Sequence, residues 1–290
     1  MILVVGATGY LGGEICRRLR ERDLDVRALV RSTSDQLKVD QLRRAGAEIV
    51  EGDLRDDASL ERACEGVEHV VSTATTIVSR QEGDSFGATD RDGQVRLVEA
   101  AEAAGARRFV FVSFGELPIE FPLQDAKRAV EQRLRDGGLA WTILRPGLFM
   151  EVWLSPMMGF DLAAGTARIL GDGDARTNWV AVPDVAAVAV ATLTEDRAAR
   201  TVVDLAADYA SGNDIVRLVR ETSGRELAVE HVPAEAIEQQ LHGAEDELGR
   251  TFAALMLAAA RGDPENRTSE LHRWVDRPLE LRDFLSATAA

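Results

Sequence analysis

The sequence predicts an α/β fold: a Rossmann-type, doubly wound parallel sheet with helices on both faces, followed by a small C-terminal α+β domain. Three observations predict it. Six short apolar runs alternate with helical patterns, a glycine-rich stretch follows the first run directly, and the rhythm changes after Pro146. Strands separated by helices are joined by crossovers, and crossovers give parallel pairing.

The runs are ILVV (2–5), VRALV (26–30), AEIV (47–50), HVVS (69–72), RFVFVS (108–113) and WTILR (141–145). Their near-continuous apolar character suits strands covered on both faces. Between them, LGGEICRRLRERD puts Leu11, Ile15 and Leu19 on one helical stripe, and GQVRLVEAAEAAGA does the same with Val95, Val98 and Ala101 or Glu102 before stopping at Gly105. After Pro146, GTARILGDGDART reads as a Gly/Asp-rich hairpin leading to a helix that starts near Pro183, with Asp184 in its first turn. A strand TVVDL (201–205), a helix from Ser211 to about Ser223 and a strand LAVEHV (227–232) follow. The remainder is helical and charged, with breaks at Pro264 and Pro278. We expect one domain over 1–150 and a smaller region over 151–290, part of 178–210 returning to the main sheet.

Composition excludes several classes. A net charge of −15 supplies no basic face for a phosphate backbone, so no nucleic-acid partner is expected. No run of about 18 uncharged apolar residues occurs, which argues against a membrane span. Cys16 and Cys64 fall in helical patterns and cannot build a disulfide framework, and the chain opens on a strand without a cleavable leader. Both point to the cytoplasm. His69, His231, His242 and His272 lack metal-ligand spacing, GDGDAR (171–176) lacks the glutamate of a calcium loop, and no G-x-S-x-G elbow occurs. We expect no metal, and a monomer or homodimer.

Gly6, Gly9 and Gly12 form G-x-x-G-x-x-G between the first strand and the first helix. Bare backbone there lets N–H groups approach a pyrophosphate at a helix N-terminus, where the dipole favours anions. The loop residues Gly6, Thr8, Gly9, Tyr10, Leu11 and Gly12 are therefore the expected cofactor contacts. An acid at the end of the second strand would suit NAD(H), but ALVRSTS offers Arg31 and the hydroxyls of Ser32 and Ser34. A guanidinium pairs with a 2′-phosphate, so NADP(H) is favoured over NAD(H).

Taken together, GATGYLG, the arginine after the second strand, EGDLRD (51–56), FVFVS (109–113), AKRAVEQRLRDGGLAWTILRPGLFM (126–150) and WVAVPDVAAVAVATL (179–193) resemble the atypical short-chain dehydrogenase/reductases of the NmrA-like type. The resemblance covers nearly the whole chain. It implies a Rossmann domain holding NAD(P)H, with activity as a quinone, dye or carbonyl reductase or a role as a cofactor-binding regulator without turnover. By position it implies that Asp53 and Leu54 border the adenine, that Ala74 and Thr75 lie beside the cofactor, and that Pro146, Gly147, Leu148 and Phe149 follow the nicotinamide carboxamide.

The wider superfamily uses Tyr-x-x-x-Lys, yet Leu123 stands four residues before Lys127, and neither Tyr10 nor Tyr209 has a lysine four residues on. The usual acid is absent. Lys127 itself shares a helical stripe with Leu123, Val130 and Leu134, and Lys38 is the only other lysine in the chain. A compact titratable charge at that place is expected to hold the nicotinamide ribose and support a developing alkoxide, with a snorkelling stem as the alternative. Ser113, at the end of the fifth strand, either orients a carbonyl oxygen or caps the strand. In PGLFMEVWLSPMMGF (146–160), Phe149, Met150, Trp153, Met157 and Met158 suit the wall of a flat apolar pocket or the core of the small region. TTIVSRQEGDSFGATD (75–90) reads as a flap. Two functions follow: an NADPH-dependent reductase of a ketone or quinone on a small apolar, aromatic or polyketide-like substrate, or a non-catalytic NADP(H) sensor. Sugar epimerisation is disfavoured by the missing tyrosine.

Overall fold

The computed structural model describes residues 1–78 and 80–289 and falls into two compact units. The first comprises Met1–Phe114, Pro122–Arg145 and Val185–Val203, and the second the remainder.

The first unit is built on strands β1 (Ile2–Val5), β2 (Val26–Val30), β3 (Glu48–Glu51), β4 (His69–Ser72), β5 (Arg108–Val112) and β6 (Ala140–Pro146). The sheet has seven strands, with Thr201–Leu205 at one edge followed by β6, β5, β4, β1, β2 and β3. Pairing from β3 across to β6 is parallel, Val5 lying between Leu29 and Ser72. The order turns back on itself at β1, and such a switch point is where ligands collect at the carboxyl ends of strands. Helices α1 (Tyr10–Arg20), α2 (Gln36–Arg44), α3 (Asp57–Cys64), α4 (Gln94–Ala103) and α5 (Pro122–Asp136) connect the strands. Leu97, Val98 and Ala101 of α4 and Val130 and Leu134 of α5 share one core with Val70, Phe109, Phe111 and Ile143 of the sheet. Burying that apolar face, at about 25 cal/mol per Å² removed from water, holds these helices to the strands.

The second unit contains two three-stranded sheets, and here one expectation is corrected. Thr166–Leu170 and Arg176–Val180 do not form a hairpin. Thr166–Leu170 pairs in parallel with Ala228–Val232, whereas Arg176–Val180 pairs with Leu148–Phe149 and Asp208–Ser211. Gly171 and Gly173, both at positive φ, carry the chain from one sheet to the other instead of folding it back. Asp208–Ser211 is a strand the sequence pattern did not reveal. Ser211 and Asp214 then form a capping box for the helix Gly212–Ser223. Helices Ala234–Gly243 and Glu247–Arg261 bury Ile237, Leu257 and Ala260 in a separate small core. Among the described residues no helix is long and apolar enough to cross a membrane.

Candidate active site

The glycine loop connects β1 to α1. Gly6 has φ +85°, which an L side chain rarely adopts, and Gly9 N–H donates to Gly6 O at 2.9 Å to close the turn. Gly9 is the N-cap of α1, no side chain caps that end, and the first turn carries no acid. The helix start is thus chemically complementary to an anion. A Cβ on Gly12 would lie 2.1 Å from Gly6 O, so the helix approaches the strand more closely than any other residue permits. Thr8, Gly9, Tyr10 and Lys38 line a hollow of about 460 Å³, where Tyr10 is 81 % exposed and the Lys38 ammonium lies 5.9 Å from its ring centroid. Leu11 is buried beneath the loop.

Arg31 and Ser32, just beyond β2, line a second hollow of about 400 Å³ together with Gln36 and Arg43 of α2. Arg31 Nη1 lies 2.7 Å from Asp84 Oδ2. Asp53, beyond β3, accepts from Arg55 Nε and Nη2, both at 3.0 Å, and these bonds hold its carboxyl below the usual carboxylate range despite partial burial. Leu54 is buried beside it. Beyond β4, Thr75 Oγ1 is buried without a hydrogen-bond partner and Ala74 O accepts from Gln94 Nε2 at 3.1 Å. An orphaned hydroxyl at the carboxyl end of a central strand fits a polar ligand there. The segment read as a flap is shorter than expected. Phe86–Gly93 is a π-helical turn that runs into α4, and buried Asp90 accepts from Thr76 Oγ1 at 2.6 Å.

Lys127 is 5 % exposed, between the sheet and α5. Its Nζ donates to Val112 O at 2.9 Å and sits 4.7 Å from the Phe111 ring centroid. Burial pushes the ammonium down to about 8, against the opposing pull of the Asp90 and Glu131 carboxylates. With its ammonium enclosed and held on a backbone carbonyl, the side chain is not a snorkelling stem.

Ser113 is tied into a buried ion cluster. Its Oγ donates to Glu131 Oε1 at 2.7 Å and accepts from Arg128 Nη2 at 3.0 Å. Glu131, fully buried, also meets Arg145 at 2.5 Å, Arg128 at 2.9 Å and Arg135 at 3.0 Å. Burial alone would raise its carboxyl; the bonds from Arg145 and Ser113 and the charge of Arg128 hold it below the ordinary value. To orient a substrate oxygen, the Ser113 hydroxyl would have to give up Glu131. Glu131→Ala is expected to cost about 2 kcal/mol, because it leaves the buried Ser113 hydroxyl without its acceptor and three partly buried guanidinium groups without their shared anion. A urea midpoint unchanged from wild type would show that the cluster contributes nothing.

In the second unit, Trp153 and Met158 line a cavity of about 70 Å³ with Leu148, Phe160 and Trp179. The other wall candidates are elsewhere: Met150 is fully buried, Met157 is 65 % exposed, and Phe149 does not line the cavity. Met150 and Trp153 belong to one short helical turn, whereas Met157 sits in a separate 3₁₀ turn. Gly147 is pressed against Asn178, where a Cβ would lie 2.3 Å from the backbone O, and Pro146 before it is buried.

The NmrA-like family model matches residues 1–272. The chain belongs to the NmrA-like family. It is 31% identical over 247 residues to the NAD(P)H azoreductase of Xenophilus azovorans, covering 84% of this chain and 81% of the relative. It is 29% identical over 236 residues to a photosystem II assembly factor of Synechocystis, covering 80% and 70% of the two chains. The NADPH-dependent quinone oxidoreductase of Escherichia coli, solved with NADPH, shares the fold with a TM-score of 0.79 at 21% identity over 99% of each chain.

In this NmrA-like chain, sequence reasoning missed Lys38, Asp84, Asp90, Glu131 and Arg145 as members of the site region. Arg145 had a visible signal, a charge in the apolar run WTILR, and Glu131 stands four residues after Lys127 on the same helix face. Asp84 and Asp90 lie in a segment without periodicity, and only the fold brings them to Arg31 and Thr76.

Proposed function

We propose that this chain is an NADP(H)-dependent reductase of a ketone or quinone on a small, apolar, aromatic or polyketide-like substrate. The observation that carries the reading is Lys127, a buried lysine anchored at the end of β5 in a unit whose first βα turn is an anion cradle of bare backbone. The names of the azoreductase and quinone oxidoreductase relatives support the same class.

Bound in this unit, the cofactor supplies the hydride. The first-turn N–H groups of α1 hold its pyrophosphate, Arg31 and Ser32 its 2′-phosphate in the hollow that Arg43 also lines, and Asp53 and Leu54 flank the adenine. Thr75 provides a hydroxyl beside the nicotinamide half. Lys127, as an ammonium, fixes the ribose and stabilises negative charge developing on the substrate oxygen. Without a tyrosine at position 123, the product proton is drawn from water or from the substrate's own hydroxyls.

The test is the rate of NADPH absorbance loss over a panel of quinones, azo dyes and polycyclic aromatic ketones. Turnover with at least one class is expected. Arg31→Ala should raise KM for NADPH about tenfold, the worth of a charge-assisted phosphate contact, while KM for NADH stays within about twofold. Equal loss with both cofactors would remove Arg31 from phosphate recognition. A second reading, a non-catalytic NADP(H) sensor, is favoured by the leucine at position 123 and by the relative named as an assembly factor. Tight binding without turnover, together with discrimination between NADPH and NADP+, would select it, since a sensor must bind its two states unequally.

A further inference from the structure

We propose that Asp84 sets the cofactor preference, as the internal counter-ion that a 2′-phosphate must displace from Arg31. The inference rests on the reading of Arg31 given above. Asp84 belongs to the irregular segment before the π-helical turn, and its side chain is fully buried. Oδ2 lies 2.7 Å from Arg31 Nη1 and accepts from Gln81 N–H at 2.8 Å. Oδ1 accepts from Thr89 Oγ1 at 3.0 Å and lies 3.6 Å from Arg55 Nε. Both oxygens are thus engaged, one of them on the guanidinium that faces the α2 hollow.

The surrounding charges matter as much as this contact. Arg55 is held by Asp53, so Arg31, Arg55, Asp53 and Asp84 form a set of two cations and two anions with no net charge. Gly83 is part of the same construction. It has φ +83°, and a Cβ there would lie 2.5 Å from Arg55 Nη1, which instead donates to Glu82 O at 2.9 Å. The segment is therefore shaped to bring Asp84 against the two arginines. A dianionic 2′-phosphate approaching Arg31 meets a cation already neutralised, and two anions on one guanidinium repel each other. NAD(H) carries no 2′-phosphate and does not compete with Asp84. Asp84 accordingly lowers the preference for NADP(H), and neutralising it raises that preference.

The experiment is calorimetric titration of the full chain with NADP+ and with NAD+. Asp84→Asn keeps the shape and the acceptor for Gln81 N–H but removes the charge. It is expected to tighten NADP+ about tenfold, the effect of one unfavourable charge contact removed, with NAD+ within about twofold. Thr89→Val, which loosens Asp84 without changing charge, should shift the ratio of the two affinities the same way by a smaller factor. It keeps the proposal testable if Asp84→Asn disorders the segment. Adding Arg31→Ala to Asp84→Asn should abolish the gain. A ratio that falls in Asp84→Asn would overturn the proposal and make Asp84 a support that orients Arg31. A ratio unchanged in both single variants would overturn it too. Failure of the wild-type chain to bind either nucleotide would instead sink the dinucleotide reading on which the proposal rests.

Discussion

Gly12→Ala is expected to abolish dinucleotide binding and to destabilise the first unit by about 3 kcal/mol, at the upper end of overpacking costs. The new methyl would lie 2.1 Å from Gly6 O, 2.7 Å from Gly6 C and 3.0 Å from Ala7 Cα, all backbone atoms that cannot rotate aside. Gly6 has no room to retreat, since a Cβ on it would already meet Ala74 N at 2.8 Å. The start of α1 must therefore move away from β1, and the N–H groups of its first turn move with it. Gly13→Ala is the matched control. Its Cβ would meet only Ala7 O, at 3.4 Å, and alanine favours a helix over glycine, so stability should hold or rise slightly. Urea denaturation and NADPH fluorescence titration of both variants check this. Wild-type binding by Gly12→Ala would mean that the loop is a packing device and not a cofactor cradle.

The second large effect belongs to Lys127. Lys127→Met is expected to lower turnover at least 100-fold, on the scale of losing one stabilising donor at the reacting oxygen. Its stability signature is separate. Burial lowers the folded-state value from 10.5 to about 8, so between those limits the unfolded chain holds a proton that the folded chain has released. Folding is then favoured increasingly as pH rises through this window. At about 1.4 kcal/mol per unit, wild type should gain about 3 kcal/mol relative to Lys127→Met between pH 7 and pH 10.5. The two curves should run parallel below about pH 7. Denaturant midpoints at several pH values measure the difference, and a constant offset across the range would show that Lys127 is solvated in the folded state. Activity that depends on the ammonium should decline as pH rises through about 8.

The sequence by itself determined the parallel sheet, the position of the glycine loop and the isolation of Lys127 on an apolar stripe. Each is written in local pattern: β-branched runs at crossover spacing, glycines between a strand and a helix, and one cation at i+4 from a leucine. The strand partners of the second unit were not legible in the same way. GTARILGDGDART has the composition of a hairpin, but each of its strands gains more from a distant partner than from the other, and that competition is settled by contacts far apart in the chain. The electrostatic state of the site was likewise decided only by tertiary structure. Arg31 reads as an open phosphate contact until the fold sets the buried Asp84 against it, 53 positions away. Ser113 reads as a strand-end hydroxyl until α5 and β6 bring Glu131, Arg128 and Arg145 around it. Periodicity records which face of an element is buried, whereas a charge takes its partner from whichever segment the fold delivers within about 4 Å, and no local pattern encodes that distance.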